Sequence, residues 1–173
     1  IPDATVRVEQ QSHAYRFGSA IAANMIAADT PEARRYRALA LELFNTVTIE
    51  NAMKWRQWPA GKPWAKHAWK NLDAALAWCK ANKLCLRGHC LVWPGWNYLP
   101  PSLAKLKSDP AKLRKTIAAR IAEAMAKTRG LADEWDVVNE PFTNRDLQKI
   151  LGPAAMAEWF RLARKANPNC RLF

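Results

Sequence analysis

The chain has 173 residues, half of them apolar and 24% charged, with a mean hydropathy of −0.32. That is the composition of one globular domain or a piece of one, and it excludes a mainly disordered chain; Gly 6 and Pro 11 exclude collagen-like and low-complexity sequence. The formal charge of +12 raises nucleic acid as a partner, and it is weighed below against the motifs.

The elements follow in chain order. Residues 15–21 read as a first short apolar strand. After Thr30-Pro31-Glu32, the residues Tyr36, Leu39, Ala40 and Leu43 fall at i, i+3, i+4 and i+7, one face of a helix. Residues 44–49 read as a second strand, and Trp69, Leu72, Leu76 and Cys79 as the inner face of a second helix. Residues 84–93 form a third apolar run. Ser108-Asp109-Pro110 carries a cap candidate and a first-turn Pro, and opens a helix with Leu113, Ile117, Ile121 and Met125 inward, stopping near Gly130. Residues 135–138 are a fourth strand. A fourth helix starts at Gly152-Pro153, turns Met156, Phe160 and Ala163 inward and ends by Asn167-Pro168; residues 171–173 open a fifth strand.

Strands that alternate with helices imply right-handed crossovers and a parallel sheet. A doubly wound dinucleotide fold lacks its glycine-rich turn here, because Phe17-Gly18-Ser19-Ala20 has a single glycine. Polar residues decide for the α/β (β/α)8 barrel. Glu50-Asn51 follows the second strand, His89 lies in the third and Asn139-Glu140 closes the fourth, at or near the carboxyl ends where barrel sites are built. Barrels run to about 250 residues or more, so the chain is expected to cover about the first four βα units and the start of strand five.

Cys79, Cys85, Cys90 and Cys170 form no C-x-x-C pair, and the three His have no metal-ligand spacing, so neither a metal nor a cofactor is expected. The cysteines read as small buried residues. No stretch approaches the ~20 apolar residues of a membrane span, and no basic-then-apolar leader opens at Ile1. Five of the nine Trp, at 55, 58, 64, 93 and 96, sit in two loop-like stretches, which suggests a cleft or lids over the core.

Three polar sets carry the chemistry. In Asp136-Val137-Val138-Asn139-Glu140, a carboxyl at the end of a buried strand is costly to ionise and could give a proton to a leaving group. As an ordinary structural feature it would cap the next helix. Glu50, Asn51 and Lys54 form a second set, which alone could be a loop ion pair, and His89 alone could be a satisfied core histidine. Sugar rings pack their C–H faces on indoles while carboxylates and amides hold their hydroxyls, so a carbohydrate cleft needs both kinds of group.

FNTVTIENAMKW (residues 44–55), LRGHCLVW (86–93) and EWDVVNEPF (134–142) resemble, in order and spacing, the second-, third- and fourth-strand motifs of glycoside hydrolase family 10, the endo-β-1,4-xylanase family. PNCRLF is similar to the lead-in to that family's fifth strand. The likeness covers the chain from about Phe17, which makes residues 1–173 a partial catalytic barrel cut on its C-terminal side. It implies an endo-acting, retaining hydrolase of β-1,4-xylosidic bonds, needing no cofactor, with xylan or xylo-oligosaccharide as partner.

By the resemblance, Glu140 is the general acid/base and Asn139 holds the sugar next to the scissile bond. Glu50, Asn51 and Lys54 hold hydroxyls on the non-reducing side, and His89 and Trp93 line that subsite. The family's nucleophile, a Glu on strand seven, matches no residue here, so the 173 residues alone are expected to be inactive and prone to associate. Pro94 stands where many members have His, and Pro141 where a small residue is commoner. The opening residues resemble the branch in which a carbohydrate-binding module often precedes the barrel. A polymeric substrate implies secretion or the periplasm. The alternatives are a non-catalytic sugar-binding relative, a relative acting on another β-glycan and, remotely, a basic nucleic-acid-binding protein, for which the Lys- and Arg-rich stretch 105–129 speaks; around a barrel that stretch reads as a solvated outer face.

Overall fold

The computed structural model describes residues 2–11, 13–58 and 65–173, the side chains of 65–67 excepted. Trp64 lies outside the described residues. The elements are β1 (Gly18–Ile21), α1 (Ala23–Ala27), α2 (Pro31–Leu43), β2 (Thr46–Ile49), α3 (Ala65–Ala81), β3 (Cys85–Val92), α4 (Pro110–Lys127), β4 (Glu134–Val138), α5 (Asp146–Leu151), α6 (Ala155–Ala166) and β5 (Arg171–Leu172). Two 3-10 turns, Trp96–Tyr98 and Pro101–Leu106, lie between β3 and α4.

The five strands make one parallel sheet in the order β1-β2-β3-β4-β5. A doubly wound sheet reverses its strand order at a switch point, whereas a barrel adds each strand beside the last. The observed order is that of a barrel wall.

Helix starts follow the cap chemistry. Thr30 accepts a hydrogen bond from the Ala33 amide at 3.2 Å before Pro31, and Asp109 accepts from the Lys112 amide at 2.9 Å before Pro110. α3 and α4 bury the faces that their periodicity marks: Leu72, Leu76 and Cys79, then Leu113, Ile117, Ile121 and Met125. Burial pushes the Cys79 and Cys90 thiols up to about 12, in keeping with inert apolar packing.

Two helices turn differently from the expectation. In α2, Ala33 and Ala40 are buried while Leu39 and Leu43 are exposed. The reason is Arg37, which occupies the inner face and donates to the carbonyls of Met25, Ile26 and Ala28 at 3.3, 3.0 and 2.6 Å. Those are the last carbonyls of α1, a five-residue helix too short to show a period. In α6, Ala155, Trp159 and Ala163 form the buried stripe, and Met156 and Phe160 pack at its flank.

Alternation along the strands separates two faces. Val47, Ile49, Leu86, Trp135 and Val137 are buried toward the helices. Gly88 lies on that same face, and a Cβ there would come within 2.3 Å of the Trp135 indole. The ring is held by its Nε1, which donates to Thr128 at 3.0 Å, so it cannot easily retreat. Gly88→Ala is therefore expected to destabilise the chain by about 1–3 kcal/mol, measured by denaturant unfolding; an unchanged midpoint would show that the ring yields.

Among the described residues no helix is long and apolar enough to cross a membrane, and no group of three or more His, Cys, Asp or Glu could hold a metal ion.

Candidate active site

The residues after β2 fold into successive turns. The Lys54 amide donates to Asn51 O at 3.0 Å, and the Trp58 amide to Lys54 O at 2.9 Å. This brings Lys54 Nζ back to donate to Asn51 Oδ1 at 3.0 Å, and places it 5.2 Å from the centroid of the Trp93 ring. Trp93, just past β3, stacks on Tyr98 at 3.6 Å with the planes 2° apart. Its Nε1 donates to Glu140 Oε2 at 3.1 Å, and Asn144 Nδ2 donates to the same oxygen at 3.1 Å.

Glu50, Lys54 and His89 line one cavity of about 460 Å³ with the inner faces of β1 and β2. Glu50 and Asn51 also line a smaller one of about 210 Å³ beside Asn24. The Asn139 amide donates to Val92 O at 2.9 Å, which extends the β3–β4 pairing to the residue before Glu140. The seven residues singled out from the sequence thus lie on or just beyond strands 2, 3 and 4, and Asn139 is placed there by its backbone alone. Glu50 and His89 share a cavity, and Lys54 connects it through Trp93 to Glu140.

The concave face beneath is charged. His89 Nδ1 lies 2.8 Å from Asp136 Oδ2, and Arg87 donates to Asp136 Oδ1 through Nε at 3.0 Å and Nη2 at 2.5 Å. Burial pushes the Asp136 carboxyl up, but the hydrogen bonds from His89 and Arg87 and the charge of Arg87 outweigh it, and it ionises below the usual carboxylate value. One layer lower, the buried Glu134 pairs with Arg16, with Arg171 at 2.5 Å and with Arg87 at 3.9 Å.

The Asp136 network holds His89 by one ring nitrogen where the residue lines the cavity. Asp136→Asn is expected to lower stability at neutral pH, because Arg87 loses its charged partner. The depressed value of Asp136 means that its stabilisation is present above the unfolded value, near 3.8, and is lost as pH falls through the lower folded one. The variant should therefore show a flatter loss of stability below pH 4 than the parent in denaturant titrations at stepped pH.

Two expectations need correction. Glu140 is exposed, so the burial expected from its strand-end position does not hold in this chain; β4 ends at Val138, and Glu140 stands two residues beyond with φ +48°. The tryptophans also divide. Trp58 is 2% exposed, packs edge-on to Trp69 at 5.0 Å and belongs to the core, while Trp93 faces the site and Trp55 and Trp96 are half-buried at its margin.

Tyr98, Asn144, Arg87 and Asp136 were not expected as parts of the site. Arg87 and Asp136 were open to discovery, because strand alternation puts residues 87 and 89 on one face and register pairs His89 with Asp136. Tyr98 and Asn144 come from irregular loops, which leave no periodic signal.

A parallel barrel wall with carboxylate, amide, imidazole and stacked aromatic groups at its strand ends defines a protein of the (β/α)8 class with a polar, aromatic-walled cleft at its rim. The chain belongs to glycosyl hydrolase family 10, whose family model matches residues 7–173. It is 30% identical over 134 residues to endo-1,4-beta-xylanase 3 of Hypocrea jecorina, covering 73% of this chain and 37% of that protein. Over all 173 residues it is 27% identical to the anti-sigma-I factor RsgI6 of Acetivibrio thermocellus, covering 22% of that protein. Its structure resembles a GH10 endoxylanase from a sugarcane soil metagenome, with a TM-score of 0.78 and 27% identity over 91% of this chain and 47% of the other. Native xylanase 10B of Thermotoga maritima gives 0.76 and 25% over 90% and 48%. The chain thus spans about half the length of these solved structures, and its five strands are part of a (β/α)8 barrel.

Proposed function

We propose that these residues form the acid/base side of the cleft of an endo-acting, retaining hydrolase of β-1,4-xylosidic bonds. The observation that carries this reading is the placement of Glu140, tethered by Trp93 and Asn144 beside the cavity that Glu50, Lys54 and His89 line. Two N–H donors occupy Oε2, which leaves Oε1 as the oxygen open to exchange a proton with the substrate. As general acid Glu140 gives a proton to the glycosidic oxygen as the bond breaks; in the second step the same carboxylate takes a proton from water. The second carboxylate of a retaining pair stands about 5–5.5 Å away and attacks the anomeric carbon. We assign it to a Glu on strand seven, outside these 173 residues.

Glu50, Asn51 and Lys54 bind hydroxyls on the non-reducing side, His89 and Trp93 wall that subsite, and Asn139 holds the sugar at the scissile bond. No cofactor enters this chemistry. A polymeric substrate places the protein outside the cell or in the periplasm. The basic stretch 105–129 fits a solvated barrel exterior better than a nucleic-acid face, since Arg114 pairs with Glu158 and Lys127 with Asp73 across neighbouring helices.

A second reading, sugar binding without cleavage, is kept because one relative matched over all 173 residues, which cover 22% of it, is named as an anti-sigma-I factor and not as a hydrolase. Titration of the 173-residue chain with xylohexaose tests both. Binding that Lys54→Ala weakens at least tenfold, with no binding of maltohexaose, supports the cleft. Absence of binding to any β-glycan, or sequence-selective retention of DNA, would overturn it. Turnover by the protein that carries the chain separates hydrolysis from binding alone.

A further inference from the structure

Arg120, on α4, is a buried cation with no carboxylate partner among the described residues. It is 2% exposed, whereas the other buried charge described, Glu134, is matched by arginines. Its Nη2 donates to Met53 O at 2.6 Å and lies 3.5 Å from Cys90 O. Its guanidinium carbon sits 4.2 Å from the centroid of the Trp58 ring, and its Nε and Nη1 have no hydrogen-bond partner among the described residues. Burial pulls the guanidinium down to about 9. A charge held at that cost is weak support for stability, and a buried cation replaced by an apolar group of similar volume is often neutral or stabilising.

What the guanidinium touches gives it another role. Met53 lies between Asn51 and Lys54, and Cys90 follows His89. Trp58 closes the same turn series, its amide bonded to Lys54 O. One side chain therefore meets the backbone of both segments that line the cavity, from behind and out of reach of any ligand. The ring stacked beneath it keeps the fork planar against those carbonyls. The turn after β2 has few other ties to β3, since the β2–β3 register ends at Thr48↔Arg87, two residues before Glu50.

We propose that Arg120 is a positioning residue that fixes the Glu50–Lys54 turn against the His89 segment and so sets the spacing of the non-reducing-side subsite. The sugar-binding consequence rests on the function proposed above; the mechanical one does not. Arg120→Met removes the fork and keeps the volume, and Arg120→Lys keeps one donor but neither the plane nor the second reach.

Two measurements on the 173-residue chain decide the matter. Amide hydrogen exchange should accelerate at least tenfold in residues 50–58 and 89–93 of Arg120→Met, less in Arg120→Lys, and stay unchanged in α6. Xylohexaose affinity should fall about tenfold with the melting temperature unchanged or higher, and Arg120→Lys should recover part of it. Unchanged exchange in both segments, or a uniform rise across the chain with a lowered melting temperature, would overturn the proposal. If the parent binds no xylohexaose the proposed function fails, and the exchange result still decides the role of Arg120. If Arg120→Met does not fold, the same exchange comparison on Arg120→Lys takes its place.

Discussion

Replacing Glu140 by alanine in the protein that carries these 173 residues will lower xylan turnover by about 10²–10⁴-fold. Removal of the carboxyl leaves the glycosidic oxygen to depart as an alkoxide, so the loss falls on kcat where bond cleavage limits the rate. The substrate's leaving group offers a second readout. A dinitrophenyl xylobioside departs without protonation, so its glycosylation step should stay close to the parental rate while xylan cleavage collapses. Glu140→Gln keeps the hydrogen bonds of Trp93 and Asn144 to the side-chain oxygen and should retain binding while losing the same factor in turnover. Xylan turnover near the parental level in either variant would remove Glu140 from the acid/base role.

The second large effect is the silence of the 173 residues by themselves. A retaining cleft needs two carboxylates, and the others on this concave face are engaged. Glu134 is held by Arg16, Arg87 and Arg171, and Asp136 by Arg87 and His89. Among the described residues, Glu50 alone remains at a neighbouring strand end. The isolated chain is therefore expected to release no reducing sugar from xylan above the buffer control, at enzyme concentrations a thousandfold above those at which family members are assayed. Turnover by the isolated chain, abolished by Glu50→Gln, would make Glu50 the nucleophile and overturn the assignment to strand seven. The open wall adds a physical signature. β1 and β5 end the sheet, and Phe17, Leu43 and Phe173 are exposed. Unpaired strand edges and uncovered apolar side chains promote association, so the chain should show concentration-dependent mass in light scattering.

Much of this was legible in the residues themselves. The alternation of apolar runs with 3.6-period faces located the five strands and the long helices, and the cap candidate before Pro110 marked a start that the structure reproduces. Polar residues at three strand ends pointed to one cleft because parallel strands in a barrel share a rim. Other features depend on partners that no local pattern reveals. Arg37 reads as a surface residue until α1 presents its carbonyls, and Leu39 and Leu43 are displaced as a result. Trp58 sits in a loop-like stretch, yet the turns after β2 fold it beneath that loop onto Arg120. The exposure of Glu140 is likewise a property of what surrounds the strand end, which an isolated run of five residues does not encode.

Glu140 also carries a left-handed backbone, φ +48°, which an L side chain larger than glycine tolerates only at an expense of about 1–2 kcal/mol. Glycine at this position would relax the chain, so Glu140→Gly should melt later than Glu140→Ala, the two being equally devoid of a carboxyl. The carboxyl proposed as acid/base thus stands on a stretch of backbone that glycine would adopt with less strain, so function and stability make opposite demands on one position.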